Sequence, residues 1–313
     1  MSFWNLIPKR TFSSSIVTNA IQNVTVIGAG LMGAGIAQVR ELSGNFEIAK
    51  NKAMNNDNDN NNNDNGFTNI AAKSYDIFVI CTNLRVNYGI TIESLLASLA
   101  SMATCVTSAR ITSNQIIKKQ IVMQQVFYKQ INWVASANTI FVSNTSSLRI
   151  SNIATATQRT DKFGGLHFFN PVPYMKLLEV VRTTETSDET YETLISFGSA
   201  LEKQTVTCKD TPGFIVNRFL IPLSLESIRM IERGDASPRD IDTAMKLGAG
   251  HIIGPIGLAD YVGLDVLNDI YAAMEYEFPG NPVFKTPELI KKLVKEGKFG
   301  CKTGEGFYEY NKK

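Results

Sequence analysis

Short apolar runs alternate with stretches of helical spacing over the first two thirds of the chain. Runs rich in β-branched and aromatic residues predict four buried strands, at 23–27, 44–50, 75–81 and 139–143. The second of these is weak because charged residues interrupt it. Apolar residues at helical spacing predict helices at 92–102 and 116–134. Strands that alternate with helices predict a mostly parallel, doubly wound α/β sheet.

The pattern changes near residue 208, after which every strong signal is helical. Ser237 and Thr286, each followed by a proline, are typical of helix starts. A third start is predicted at Asp210, with a helix that includes 214–223. The chain is therefore expected to form an α/β domain and then an all-α domain, residues 21–208 and 209–313.

A glycine-rich turn joins the first predicted strand to a helix. The turn consists of Gly28, Ala29, Gly30, Leu31, Met32 and Gly33. Gly28 allows a tight turn, Gly30 lets the backbone approach a pyrophosphate, and Gly33 lets the helix pack closely on the strand. The free N–H groups at the helix start stabilise phosphates. In this strand–turn–helix context the segment predicts a dinucleotide site in a Rossmann-type domain.

Two segments have a composition that is not typical of a folded core. Up to Arg40 there is no Asp or Glu, and Lys9 and Arg10 lie among serines and threonines. Such a composition is typical of a mitochondrial transit peptide, so residues 1–20 are left out of the predicted fold. Residues 51–69 are mostly Asn and Asp, which predicts a disordered insertion.

Charge and cysteine content exclude several functions. The 31 Lys and Arg against 29 Asp and Glu give a net charge of +2, too balanced for a protein that binds nucleic acid over a broad surface. The 4 cysteines form no CxxC pair and there are only 2 histidines, so neither a metal site nor a disulfide framework is predicted. No run of about 18 apolar residues predicts an integral membrane segment.

Two strand-like runs flank a proline-containing loop at 170–173. Counting outward from that loop puts His167 beside Leu178 or Glu179. An imidazole paired with a carboxylate is held in one tautomer and becomes a better base near neutral pH. His167 and Glu179 are therefore predicted to be a catalytic pair. His251 has no acidic residue close in sequence and is interpreted as a surface or packing residue.

Three polar residues outside this hairpin are further candidates. Ser146 follows the strand at 139–143, at the edge where doubly wound sheets bind ligands. Its hydroxyl either bonds a substrate oxygen or belongs to an ordinary turn. Asn217 is polar among apolar neighbours and needs a partner if it is buried. Lys302 lies in a glycine-rich segment, 299–307, which is either a ligand contact or a mobile, solvated tail.

Together these segments resemble the short-chain L-3-hydroxyacyl-CoA dehydrogenase family of mitochondrial fatty-acid β-oxidation, which includes 3-hydroxybutyryl-CoA dehydrogenases. The match is continuous from Ser136 to the end of the chain. The matching segments are VTVIGAGLMGAGIAQV (24–39), TIFVSNTSSL (139–148), GLHFFNPVPYMKLLEVV (165–181), CKDTPGFIVNR (208–218), GDASPRDIDTAMKLGAG (234–250) and GCKTGEGFY (300–308).

The resemblance implies reversible, NAD-dependent oxidation of an L-3-hydroxyacyl-CoA by a homodimer in the mitochondrial matrix. It implies that His167 takes the hydroxyl proton while the hydride passes to the nicotinamide, and that Glu179 orients His167. Ser146 and Asn217 would hold the substrate oxygens. The cofactor contacts that it implies besides the glycine-rich turn are Ser146, Asn170 and Lys302.

The family pattern is lost over 40–118. By spacing, the acid that would hold the ribose hydroxyls falls near Asn51, and Lys119 and Gln124 fall where the family has a glutamate and a lysine. Losing the ribose carboxylate alone is expected to weaken NAD binding roughly tenfold to a hundredfold. The alternative function is therefore that of a catalytically impaired or inactive homologue with a degenerate nucleotide domain. A dehydrogenase that acts on free 3-hydroxy acids is a disfavoured alternative. Because Lys50 is basic and lies beside the uncharged Asn51, the sequence leaves open whether the cofactor is NAD or NADP.

Overall fold

A computed structural model describes residues 23–27, 36, 47–48, 77–80, 113–146 and 148–310. Several features predicted above lie outside these residues. They are the transit peptide at 1–20, the glycine-rich turn at 28–33, the Asn-rich segment at 51–69 with Asn51, and the helix at 92–102.

The described strands form one sheet. Their bounds are β1 Asn23–Ile27, β2 Glu47–Ile48, β3 Ile77–Ile80, β4 Ile140–Ser143, β5 Phe163–Phe168, β6 Leu177–Arg182 and β7 Gln204–Lys209. The spatial order is β2-β1-β3-β4-β5-β6-β7. Every neighbouring pair is parallel except β5 and β6, which are antiparallel. The mostly parallel sheet is therefore confirmed, with the weak second strand present as two residues.

The α-helices divide into two groups. Those of the α/β domain are α1 Ser113–Val134, α2 Ile150–Ala154 and α3 Asp188–Ala200. Those of the second domain are α4 Val216–Arg233, α5 Pro238–Gly248, α6 Pro255–Val262, α7 Leu264–Glu277 and α8 Glu288–Lys295. Short 3-10 helices span Thr160–Lys162 and Pro282–Phe284.

Alternate side chains of the sheet enter cores on its two faces. Val142 of β4 belongs to the same core as Phe197 of α3 and Ile36, which lies in the helix predicted after the glycine-rich turn. Phe141 points the other way and packs with Tyr128 of α1. The hydroxyl of Tyr128 donates to the carbonyl of Val142 at 2.8 Å. Helices therefore cover both faces, as the doubly wound prediction requires.

The second domain has a core of its own. Leu225 of α4, Ile256 of α6, Tyr271 of α7 and Ile290 of α8 are each completely buried in it. The predicted helix start at Ser237 is confirmed, because its hydroxyl accepts the N–H of the third residue of α5. The all-α second domain is thereby confirmed.

The prediction that Asp210 begins the following helix is wrong. Its carboxylate accepts the N–H groups of Ile150 at 2.7 Å and Ser151 at 2.9 Å, so it caps α2 of the α/β domain. Gly213 has a φ of 81° and Phe214 a φ of 48°, which a right-handed helix does not allow. Helix α4 begins only after these two residues.

Candidate active site

The antiparallel strands β5 and β6 bring His167 and Glu179 into contact. Its register pairs His167 with Glu179 and Phe168 with Leu178. Of the two partners that sequence counting allowed for His167, the structure selects Glu179. The His167 Nδ1 and Glu179 Oε2 atoms are 2.6 Å apart, and the two side chains are 4% and 0% exposed. The pair is therefore shielded from water.

The carboxylate of Glu179 decides which ring nitrogen of His167 carries a proton. An ionised carboxylate only accepts hydrogen bonds, so Nδ1–H is the donor and the neutral ring keeps a lone pair on Nε2. A hydrogen bond to a charged acceptor is also stronger than a neutral one, which holds the ring in a fixed orientation. The arrangement therefore presents a base at Nε2.

Ser146 lies at this free nitrogen. Its Oγ is 3.0 Å from Nε2 of His167. Ser146 follows the carboxyl end of β4 and His167 is near the carboxyl end of the parallel neighbour β5, so one edge of the sheet holds both. The structure thus brings together three of the residues singled out from the sequence.

Glu179 is held at both of its oxygens. While Oε2 faces His167, Oε1 accepts the backbone N–H groups of Ile215 at 3.1 Å and Val216 at 2.9 Å. These N–H groups lie at the start of α4, in the second domain. The charge of a completely buried carboxylate is thereby satisfied by three donors, two of which come from the other domain.

Two aromatic rings enclose the imidazole. The ring centroid of Phe169 lies 4.6 Å from that of His167, and the centroid of Phe214 lies 5.4 Å away. Both rings are tilted against the imidazole, by 55° and 54°. They exclude water from the sides of the ring, which strengthens its polar contacts.

The loop that follows β5 carries Asn170, whose side chain is exposed. The backbone of this loop is fixed by Lys203, whose Nζ donates to the carbonyls of Val172 at 2.6 Å and Met175 at 2.9 Å. Lys203 is buried, and burial lowers the pKa of its amino group. None of the ion pairs in the described part of the chain includes Lys203.

Asn217 and Lys302 lie in the second domain. Asn217 is the second residue of α4, directly after the N–H groups that hold Glu179, and it is half-buried. The amino group of Lys302 pairs with Asp265 of α7 and lies 5.2 Å from the ring centroid of Phe299. The substrate role of Asn217 and the cofactor role of Lys302 stay predictions.

Two residues that build this site had no structural role assigned to them from the sequence. The side-chain oxygen of Asn144 accepts the N–H of Phe168 at 3.0 Å and so ties the end of β4 to the end of β5. Gln124 is buried, and its side-chain oxygen accepts a hydrogen bond from the hydroxyl of Ser143 at 2.9 Å. These contacts join positions that are far apart in sequence, and no local pattern signals them.

The groups at this edge of the sheet fit a nicotinamide nucleotide. Open α/β sheets bind ligands beyond the carboxyl ends of their strands, where Ser146 and Asn170 lie. A hydroxyl and a side-chain amide can both donate to and accept from the carboxamide of a nicotinamide. Within the described residues, by contrast, no group of three or more His, Cys, Asp or Glu side chains could hold a metal ion. Nor does any described helix have the length and apolarity needed to cross a membrane.

Comparisons with known proteins agree over nearly the whole chain. A family model described as "3-hydroxyacyl-CoA dehydrogenase, NAD binding domain" matches residues 23–211, and one for the "C-terminal domain" of the same family matches 213–310. The human protein named hydroxyacyl-coenzyme A dehydrogenase, mitochondrial, is 45% identical over 311 residues, which cover 96% of this chain and 95% of the human one.

Solved structures give the same result. The crystal structure of (S)-3-hydroxybutyryl-CoA dehydrogenase from Ralstonia eutropha has a TM-score of 0.68 and 30% sequence identity. The alignment covers 94% of this chain and 100% of that one. Sequence and structure therefore point to one group of proteins.

An open, mostly parallel sheet with polar groups at its carboxyl edge is the architecture of nucleotide-dependent dehydrogenases, and the first domain is of that class. The second, helical domain narrows the class further, because it matches the domain that follows in one such family. The chain belongs to the 3-hydroxyacyl-CoA dehydrogenase family, and its first domain is that family's NAD-binding domain.

Proposed function

We propose that this protein catalyses the reversible, NAD-dependent oxidation of an L-3-hydroxyacyl-CoA to the 3-ketoacyl-CoA in fatty-acid β-oxidation. One observation carries the proposal, namely the buried His167–Glu179 pair with the Ser146 hydroxyl at the free ring nitrogen. The pair can take a proton from an alcohol oxygen. The human member of the family is named for hydroxyacyl-CoA dehydrogenase activity, which requires such a proton transfer.

His167 is the general base of the proposed reaction. In the oxidation direction Nε2 takes the proton of the substrate hydroxyl, and in the reduction direction it returns that proton to the oxygen. When bound, NAD would supply the acceptor for the hydride that leaves the carbon bearing that hydroxyl. Glu179 keeps Nδ1 protonated and stabilises the imidazolium that forms.

Two polar side chains hold the substrate oxygens. Ser146 lies within hydrogen-bond distance of the base, so its hydroxyl can bind the oxygen that gives up its proton. Asn217 is assigned the second contact, because it lies within one helical turn of the N–H groups that bind Glu179. Fixing the alcohol between these side chains and the base contributes to the rate through orientation.

The cofactor contacts are assigned by the family resemblance. The glycine-rich turn at 28–33 would hold the pyrophosphate, and Ser146 and Asn170 would contact the nicotinamide end. Lys302 is assigned to the cofactor as well, although its amino group pairs with Asp265. A contact with the negatively charged cofactor would therefore compete with that ion pair.

The location and assembly of the protein are part of the proposal. Relatives named mitochondrial and the basic, acid-free first residues support a mitochondrial protein. The matrix is assigned from the family resemblance alone. A homodimer is supported by exposed apolar side chains of the helical domain, among them Leu247, Ile252 and Tyr261, at 83%, 95% and 68% exposure. Light scattering of the full chain should give twice the chain mass of 34.5 kDa.

The test is the rate of acetoacetyl-CoA reduction by NADH for the full chain and two variants. His167→Gln should lower kcat about 10²- to 10⁴-fold, because the base is lost. Glu179→Gln should lower kcat about 10- to 100-fold, because the ring loses its fixed orientation. NADH binding, measured by fluorescence, should be nearly unchanged in His167→Gln.

Two results would contradict this assignment. If His167→Gln lost NADH binding and turnover to the same extent, His167 would serve cofactor binding or folding rather than proton transfer. If the unmodified protein were folded but bound no NADH and showed no turnover, the protein would be the inactive homologue with a degenerate nucleotide domain.

A further inference from the structure

The turn before α4 touches both members of the His–Glu pair. Phe214 is buried at 5% exposure, and its ring packs against the imidazole of His167. The next two residues, Ile215 and Val216, donate their backbone N–H groups to Glu179. A single short segment therefore supports the base through its ring and the acid through its backbone.

The backbone of this turn is unusual. Phe214 has a φ of 48°, in the left-handed region that a bulky side chain rarely adopts. In the described part of the chain, Glu202 at 56° is the other non-glycine residue with a positive φ. Such conformations persist where the surrounding structure imposes them, and they concentrate at functional sites.

This conformation has a direct consequence for Glu179. Gly213 also has a positive φ, 81°, so two successive residues depart from the helical backbone just before α4 begins. The N–H groups that follow then point to one acceptor, the Oε1 atom of Glu179. Backbone N–H groups arranged in this way form a concave anion-binding nest. The anion held by this nest is the carboxylate that orients His167.

We propose that Phe214 is a positioning residue for the reaction. Its left-handed backbone aims two N–H groups at Glu179, and its ring fixes the plane of the imidazole of His167. The substrate and cofactor do not need to touch it. This inference rests on the proposed function, since it takes His167 as the base.

The kinetic test compares full-chain variants in acetoacetyl-CoA reduction by NADH. Phe214→Gly permits the same φ but removes the ring and frees the turn, and it should lower kcat about 10- to 100-fold. Phe214→Leu keeps apolar volume without the flat ring and should give a smaller loss of kcat. In both variants the KM for NADH should stay within about twofold, because cofactor binding is not the step affected.

The matched control is Glu202→Gly. It removes a side chain from the other left-handed non-glycine position, in an exposed turn, so kcat should be unchanged. A loss of kcat in the control equal to that in Phe214→Gly would overturn the proposal. So would unchanged kcat in both Phe214 variants.

A spectroscopic test separates this inference from the proposed function. The chain has only 2 histidines, so His251→Gln identifies the ring signals of His167 by NMR. The short Nδ1–H hydrogen bond to Glu179 should give a far-downfield proton, and Phe214→Gly should shift it upfield or lose it to exchange. An unchanged signal in folded Phe214→Gly overturns the inference. Because this readout needs no turnover, it decides the matter even if the unmodified protein is inactive.

Discussion

Buried acids in this protein are satisfied by backbone N–H groups as well as by side chains. Glu179 has two N–H donors and one imidazole, and Asp260 has the N–H groups of Phe307 and Tyr308 and the hydroxyl of Tyr310. Burial raises the pKa of Asp260, and its donors counteract that rise. Each of these two buried carboxylates thus fixes a segment that lies beside it in space but is distant in sequence. Glu179 fixes the start of α4, and Asp260 fixes the C-terminal segment.

The two cysteines of the described chain should differ in reactivity. Cys208 is buried, and desolvation together with the nearby charge of Glu179 raises its pKa to about 12. At pH 8 only about one molecule in ten thousand would carry the reactive thiolate. Iodoacetamide should therefore modify exposed Cys301 in the native protein and reach Cys208 only after unfolding.

Peptide mass spectrometry after timed labelling measures both cysteines in one sample. Labelling in denaturant is the control, since both thiols should then react alike. Equal rates for Cys208 and Cys301 in the folded protein would contradict the burial of Cys208 beside the site.

At the scale of elements, the site depends on how the β5–β6 hairpin is held. The register puts His167 opposite Glu179, and Lys203 at the entrance of β7 fixes the loop between the two strands. That loop carries Asn170, one of the proposed cofactor contacts. The hairpin thus carries the proposed catalytic pair on its strands and a proposed cofactor contact on its loop.

Removal of the Lys203 amino group should loosen this loop. Lys203→Met keeps the length of the side chain but loses both hydrogen bonds, which should lower the free energy of unfolding by about 1–3 kcal/mol. The KM for NADH should rise more than kcat falls, because Asn170 is displaced while the His–Glu pair is intact. Lys176→Met, at an exposed lysine next to the same loop, is the matched control. If both variants behaved alike in urea unfolding and in kinetics, the proposed role of Lys203 would be wrong.

Part of the fold and of the site could be predicted from the sequence, and part depends on contacts between distant residues. Strands β1, β3 and β4 and the helical second domain followed from local pattern, because burial dictates the spacing of apolar residues. Counting from the proline-containing loop left Leu178 and Glu179 as neighbours of His167, and the register selects Glu179. The start of α4 was predicted wrongly, because Asp210 caps a helix about sixty residues earlier in the chain. The roles of Lys203 and Phe214 depend on partners distant in sequence, which no local rule signals.

At the scale of the whole molecule, the two domains meet at the site. The start of α4 binds Glu179, and Arg149, just before α2, pairs with Glu277 of α7 at 2.9 Å. Asp210 adds a further link by capping α2 from the connection between the domains. Because these contacts lie next to Ser146 and His167, the active geometry requires the helical domain to be docked on the sheet.

The proposed dehydrogenase activity is best tested by the rate of NADH oxidation by the purified full chain with acetoacetyl-CoA, over a range of NADH concentrations. Light scattering of the same sample measures whether the protein is dimeric, as proposed. We expect saturable turnover, with a KM for NADH roughly tenfold to a hundredfold above that of the human relative measured alongside, because the residue predicted at the position of the ribose acid, Asn51, is uncharged. No turnover at saturating NADH, from protein shown to be folded and dimeric, would contradict it.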